Sequence, residues 1–173
     1  MDGGQLQDFV DDKRPCPEPL LANIMFRMVK GVKFLHDNKQ LHRDIKPHNA
    51  LMTKSGEVKI SDMGICKDLG SAGEGGTSIS FSETFTGTQM YMSPERLEGK
   101  AYSYASDIWS LGVCAMTLAE AKLPFDARAG FWGLARMFQD KEHKLPRLDA
   151  AKFSPECVDF CTQCMQIDPK ARA

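Results

Sequence analysis

The chain has no excess of either charge: 22 Lys and Arg stand against 23 Asp and Glu in 173 residues, a formal net charge of −1. That excludes a global basic field of the kind that draws a protein to nucleic acid or anionic lipid. It also lacks a long apolar run. The longest, Ile108 to Ala119, is broken by Ser110, Gly112 and Thr117, and it is too short for a bilayer, which needs about 20 residues. A core helix is expected there, with neither a membrane nor a nucleic acid as partner. The opening residues Met1-Asp2-Gly3-Gly4-Gln5 have neither the basic nor the apolar stretch of a secretory leader. Six cysteines, at 16, 66, 114, 157, 161 and 164, therefore do not read as a disulfide framework. Cys161 and Cys164 form a C-x-x-C with Cys157 just before it, but a zinc site wants a second ligand pair, and His143 stands alone. Reduced thiols on a buried helix, in a cytoplasmic and reducing setting, are the expectation.

What is present is mostly helical periodicity. Leu20, Leu21, Ile24, Met25, Met28, Val29, Val32 and Leu35 fall on one face of a helix over Leu20 to Leu35, preceded by Pro15, Pro17 and Pro19. Two short strands follow, Ala50–Thr53 and Glu57–Ser61, around a Lys54-Ser55-Gly56 turn. Residues Gly70 to Ser82 are rich in Gly and Ser and read as a functional loop. Helices are expected over Tyr104 to Ala121 and Phe131 to Gln139. A last one opens on Ser154 as N-cap with Pro155 in its first turn, and ends before Asp168-Pro169. There are no internal repeats. The fold class is mainly α with a small β-hairpin.

Between the first long helix and the hairpin lies His42-Arg43-Asp44-Ile45-Lys46-Pro47-His48-Asn49. Phosphoryl transfer to a hydroxyl needs an acceptor for the proton, cations on the phosphates and ligands for those cations. Asp44 suits the first role, Lys46 the second, and the side-chain carbonyl of Asn49 suits Mg²⁺, a hard cation. Asp62-Met63-Gly64 follows at the strand exit, where Asp62 offers a second metal ligand.

These residues resemble the protein kinases, whose signature is H-R-D-L-x-x-x-N followed by D-F-G. Ile45 stands for Leu and Met63 for Phe; Met63 is apolar and can fill an irregular pocket. Two further blocks extend the resemblance. Gly87-Thr88-Gln89-Met90-Tyr91-Met92-Ser93-Pro94-Glu95 is similar to the segment that closes the activation loop, and Ser106-Asp107-Ile108-Trp109-Ser110-Leu111-Gly112 to the family's S-D-x-W-S-x-G. The resemblance implies that Thr88 bonds toward Asp44 and Lys46, that Glu95 pairs with Arg172, and that Asp107 accepts backbone N–H groups of the catalytic loop as structural support. An acid at a helix start is otherwise read as an N-terminal cap.

On this resemblance the chain is a partial protein kinase domain over 1–173. It comprises a hinge segment and the C-terminal lobe of the bilobal α+β kinase fold, with the small lobe missing. The catalytic loop is 42–49 and the activation segment 62–95. The implied cofactors are ATP and Mg²⁺: Met1, Lys46, Asn49, Leu51 and Asp62 would line the nucleotide, and Asn49 and Asp62 would hold the metal. Lys46 and Gly87-Thr88 are of the serine/threonine type. Met1-Asp2-Gly3-Gly4, Tyr91 to Leu97 and Tyr102 to Gly112 resemble the mitogen-activated protein kinase kinases, which phosphorylate Thr and Tyr of a downstream kinase. The Pro-rich insert of some members is absent, only Leu123 to Gly130 occupying its place.

That family is switched on by an upstream kinase at two hydroxyls spaced S-x-x-x-S/T. Ser80 and Thr84 fall there, with Ser78 and Ser82 as alternatives. Arg43 and Lys67 would receive the phosphates. The Gly-rich phosphate loop, the strand lysine and its helix glutamate are not in these residues. Met1 is therefore expected to be an internal methionine, and the 173 residues alone to be inactive. The alternative function is a non-catalytic C-lobe fragment that works as a protein-binding module.

Overall fold

The computed structural model describes residues 2–62, 67–68, 87–101, 103–140, 142 and 144–172. A short helix, α1 (Gln7–Asp11), precedes the long α2 (Glu18–Asp37). The buried residues of α2 are Leu21, Ile24, Met25, Met28, Val32 and Leu35, the expected stripe. It starts earlier than its periodicity showed: Pro17 is the N-cap and Pro19 sits in the first turn, where a missing N–H costs nothing. At its far end the Asn38 side-chain amide donates to the Phe34 carbonyl at 2.8 Å, and Lys39 turns the chain with φ 59°.

Strand β1 (Gln40–Leu41) leads into the loop from His42 to Asn49, which closes with a 3₁₀ turn at Pro47–Asn49. The hairpin is β2 (Ala50–Met52) and β3 (Val58–Ile60), antiparallel, with Leu51 opposite Lys59. Gly56 makes its turn at φ 84°. Val58 is buried and Lys59 exposed, as the alternation requires. Strand β4 (Lys67–Asp68) pairs antiparallel with β1, a second small sheet that the sequence did not show. The chain start adds a third partner to the hairpin: Gly3 N–H donates to Met52 O at 3.0 Å, Met52 N–H to Gly4 O at 2.9 Å, and Leu6 N–H to Ala50 O at 2.8 Å. A Cβ on Gly3 would lie 2.7 Å from the Met52 carbonyl oxygen, so only glycine allows this approach.

Helices α3 (Pro94–Leu97), α4 (Tyr104–Glu120), α5 (Gly130–Gln139) and α6 (Pro155–Cys164) complete the fold. The centre is α4, buried almost throughout from Ser106 to Ala119, between α2 and α6. Its start is a capping box of Ser103 and Ser106, and its end is Ala121 in the left-handed region. Gly112 lets α6 come close: a Cβ there would lie 2.7 Å from the Cβ of Cys164. Trp109, fully buried, meets Phe138 edge to face at 5.1 Å and lies parallel to Phe125 at 6.4 Å between ring centroids.

Helix α6 begins as its sequence predicts, with the Ser154 hydroxyl accepting the Cys157 N–H at 3.2 Å. Glu18, at the start of α2, accepts both the Ser154 N–H and its hydroxyl, tying the two helix starts together. Burial pushes the Cys164 thiol up to about 12 and the Cys161 thiol higher still, so both are protonated on a packed helix face. Among the described residues no cluster of three or more His, Cys, Asp or Glu is placed to hold a metal ion. Nor is any described helix long and apolar enough to cross a membrane.

Candidate active site

The loop from His42 to Asn49 is built around the chain reversal at Arg43, which has φ 72°. That left-handed conformation costs a non-glycine residue about 1–3 kcal/mol and persists only where its surroundings hold it. Asp107, fully buried on α4, does much of the holding. Its Oδ2 accepts the His42 N–H and its Oδ1 the Arg43 N–H, both at 3.0 Å. Oδ2 also meets His36 Nε2 at 2.9 Å. Asp107 lies a turn beyond the Ser103 N-cap, so its carboxylate serves the loop and not the helix end.

His42 is fully buried and fixes the next peptide. Its Nδ1 accepts the Asp44 N–H at 3.3 Å, so Nε2 carries the proton and donates to the Ser61 carbonyl at 3.0 Å. Asp44 then presents its carboxylate beside Lys46 and Asn49. Lys46 Nζ lies 2.9 Å from Asp44 Oδ2. The Asn49 side-chain NH₂ donates to both the main-chain carbonyl and Oδ2 of Asp44, each at 2.8 Å. Both amide hydrogens of Asn49 are thereby committed, which leaves its Oδ1 as the ligand atom of this buried side chain.

Asp62 is brought near by the hairpin. The Ser61 N–H donates to the Asn49 carbonyl at 2.8 Å, one step beyond the Ala50–Ile60 pair. Asp62 itself is exposed with φ 60°, a conformation aspartate tolerates better than most residues. An exposed carboxylate and the Asn49 carbonyl oxygen are a hard, oxygen-only donor set of the type Mg²⁺ takes. Leu51, half-exposed, lies opposite Gln5 of the added strand.

Glu95 and Arg172 form the second anchored group. Arg172 Nη1 and Nη2 donate to the two oxygens of Glu95, each at 2.7 Å. Its remaining N–H groups go to the carbonyls of Gln166, Ala105 and Ile167. The Ser106 hydroxyl donates to Glu95 at 2.8 Å, and the guanidinium lies 5.1 Å from the Trp109 ring centroid. Burial works to raise the Glu95 carboxyl, but the hydrogen bonds from Arg172 and Ser106 outweigh it and hold it below its ordinary value.

Met1, Met63, Gly64, Ser78, Ser80, Ser82 and Thr84 lie outside the described residues, as do the side chains of Lys67 and Thr88. Ser61 and Arg96 contact the loop and His36 contacts Asp107, its anchor, and none of the three was singled out from sequence. His36 and Arg96 carry no local signal for it, being 71 and 53 positions from the residues they meet.

A protein kinase domain model matches residues 1–173, and the chain belongs to the protein kinase family. Within it, the chain is similar to mitogen-activated protein kinase kinases. It is 39% identical over 173 residues to mitogen-activated protein kinase kinase 3 of Arabidopsis thaliana, covering 99% of this chain and 32% of that protein. To mitogen-activated protein kinase kinase 1 of the same plant it is 38% identical, covering 99% of this chain and 48% of the relative. To mitogen-activated protein kinase kinase 1c of Physcomitrium patens it is 39% identical, with 99% and 49% covered. The chain thus spans about a third to a half of the length of these curated relatives.

Proposed function

We propose that this chain is the hinge segment and C-terminal lobe of a Mg-ATP-dependent protein kinase of the mitogen-activated protein kinase kinase type. The observation that carries the reading is the cluster of Asp44, Lys46 and Asn49, with Oδ2 of Asp44 within 3 Å of both partners. Asp44 accepts the proton of the substrate hydroxyl and orients it. Lys46 neutralises charge on the transferring phosphate, and Asn49 and Asp62 would hold Mg²⁺. The metal would supply charge neutralisation between the phosphates. Thr88 shapes the substrate side of Asp44 and Lys46. Met1 and Leu51 line the adenine.

Activation follows from phosphorylation of Ser80 and Thr84 by an upstream kinase, with Arg43 and Lys67 as receivers of the phosphates. The substrate is a mitogen-activated protein kinase, modified on Thr and Tyr, in the cytoplasm. The 173 residues by themselves transfer no phosphate at a useful rate, because no Gly-rich loop or Lys–Glu clamp is among them.

The test is a transfer assay on the protein isolated from the cells that make it, with ATP, Mg²⁺ and a mitogen-activated protein kinase. Incorporation into the substrate is expected, reduced by at least about 100-fold in Asp44→Asn. Incorporation that Asp44→Asn leaves untouched, or none from the activated protein, would sink the reading in favour of a binding module. Robust transfer by the isolated 173 residues would sink its last part.

A further inference from the structure

Asp44 is aimed by the peptide unit that joins it to Arg43, and both ends of that unit are held. The amide end, Asp44 N–H, is taken by His42 Nδ1 at 3.3 Å. The carbonyl end, Arg43 O, accepts Nη1 of Arg96 at 2.7 Å. The preceding peptide is held by Asp107 through the Arg43 N–H. We propose that Arg96 is a positioning residue for the catalytic aspartate: it clamps the carbonyl end of the Arg43–Asp44 peptide and so fixes the plane from which Asp44 departs.

Rotation of this peptide is the low-barrier way for Asp44 to lose its aim, because it changes ψ of Arg43 and φ of Asp44 in opposite senses and leaves φ of Arg43 at 72°. Asp107 does not prevent it, since its bonds are to the two N–H groups before that plane. The Asp44 N–H bond to His42 is long and between neutral groups, the weaker class of hydrogen bond. The Arg96 bond is short and charge-assisted. Arg96 is half-buried on α3, directly after Glu95. Glu95 is locked to Arg172, and so the base of the Arg96 side chain is fixed. The clamp thus links the end of the activation segment to the orientation of Asp44.

The inference rests on the kinase reading for its catalytic consequence, but its first readout needs no turnover. Amide exchange is followed by NMR in the 173-residue chain and its Arg96→Met and Arg96→Lys variants. In Arg96→Met the Asp44 amide is expected to exchange about 10-fold faster, as loss of one charged hydrogen bond allows. Arg96→Lys, which keeps a donor, is expected to fall between. Amides of Leu111 to Leu118 in α4 report global opening and are expected to be unchanged. Equal exchange at Asp44 in parent and Arg96→Met would overturn the proposal, as would acceleration matched by the α4 amides in both variants.

The second readout is kinetic, in the whole active protein. Arg96→Met is expected to lower kcat about 10- to 100-fold with KM for ATP changed by less than about twofold, the pattern of a misaimed base. Partial recovery is expected in Arg96→Lys. A raised KM with unchanged kcat would overturn the role. Faster Asp44 exchange in a protein that transfers no phosphate would refute the kinase reading and leave the clamp standing.

Discussion

Glu95 and Arg172, 77 positions apart, meet through two parallel N–H···O bonds of 2.7 Å, with the arginine side chain fully buried. The pair fastens α3 to the end of the described chain. Arg172 has an acceptor for each of its five N–H groups. That complete satisfaction is what a buried ion pair requires to offset its desolvation.

Removing one partner strands the other charge. Arg172→Met is expected to destabilise the chain by about 3–5 kcal/mol, seen as a lower urea midpoint at unchanged m. The double variant Glu95→Leu/Arg172→Met is expected to lose less than the two singles added together. A single-variant cost below about 1 kcal/mol would contradict the anchoring role.

The same pair sets a pH dependence. The folded-state Glu95 carboxyl lies below its ordinary 4.5, so its stabilisation is fully present above that value and is lost as pH falls through the lower folded value. Urea midpoints of parent and Glu95→Gln, taken from neutral pH downward, are expected to converge below the ordinary glutamate range. A gap that stays constant or widens in acid would show that Glu95 is not held this way.

Gly112→Ala tests the contact of α4 with α6. Alanine would favour the helix by about 1 kcal/mol, yet its Cβ would lie 2.7 Å from the Cys164 Cβ and 2.8 Å from the Met165 Cγ. Neither is the loose tip of a side chain. A net loss of about 1–3 kcal/mol is expected, measured by thermal or urea unfolding. A stabilised variant would mean that α6 is free to retreat.

The thiols give a chemical test of the core. Burial pushes Cys16 up to about 11 and Cys164 up to about 12, and raises Cys114 and Cys161 further. Thiolate is the reactive form. At mildly alkaline pH an alkylating reagent is therefore expected to leave these four unmodified in the folded chain and to label them in urea. Fast native labelling of Cys161 and Cys164 would point instead to an open C-x-x-C.

Much of this architecture was legible because it is local. The stripe of α2, the Gly56 turn and the Ser154 cap each depend on residues within a few positions of one another. The elements that were missed are short. Helices α1 and α3 cover little more than one turn, too little for a period to show. Strands β1 and β4 have two residues each and exist only because they pair with each other.

The sequence by itself placed Asp44, Lys46 and Asn49 within six positions of one another, so the contacts among their side chains belong to one short loop. Only the tertiary structure decided how that loop is held. Arg96 and Asp107 reach it from 53 and 65 positions away, and His36 braces Asp107 across 71 positions. A hydrogen bond to a main-chain N–H or carbonyl reads no side-chain identity at its other end. It leaves no paired motif in the sequence, and only the packing of α2, α3 and α4 around the loop shows which polar side chain faces which peptide.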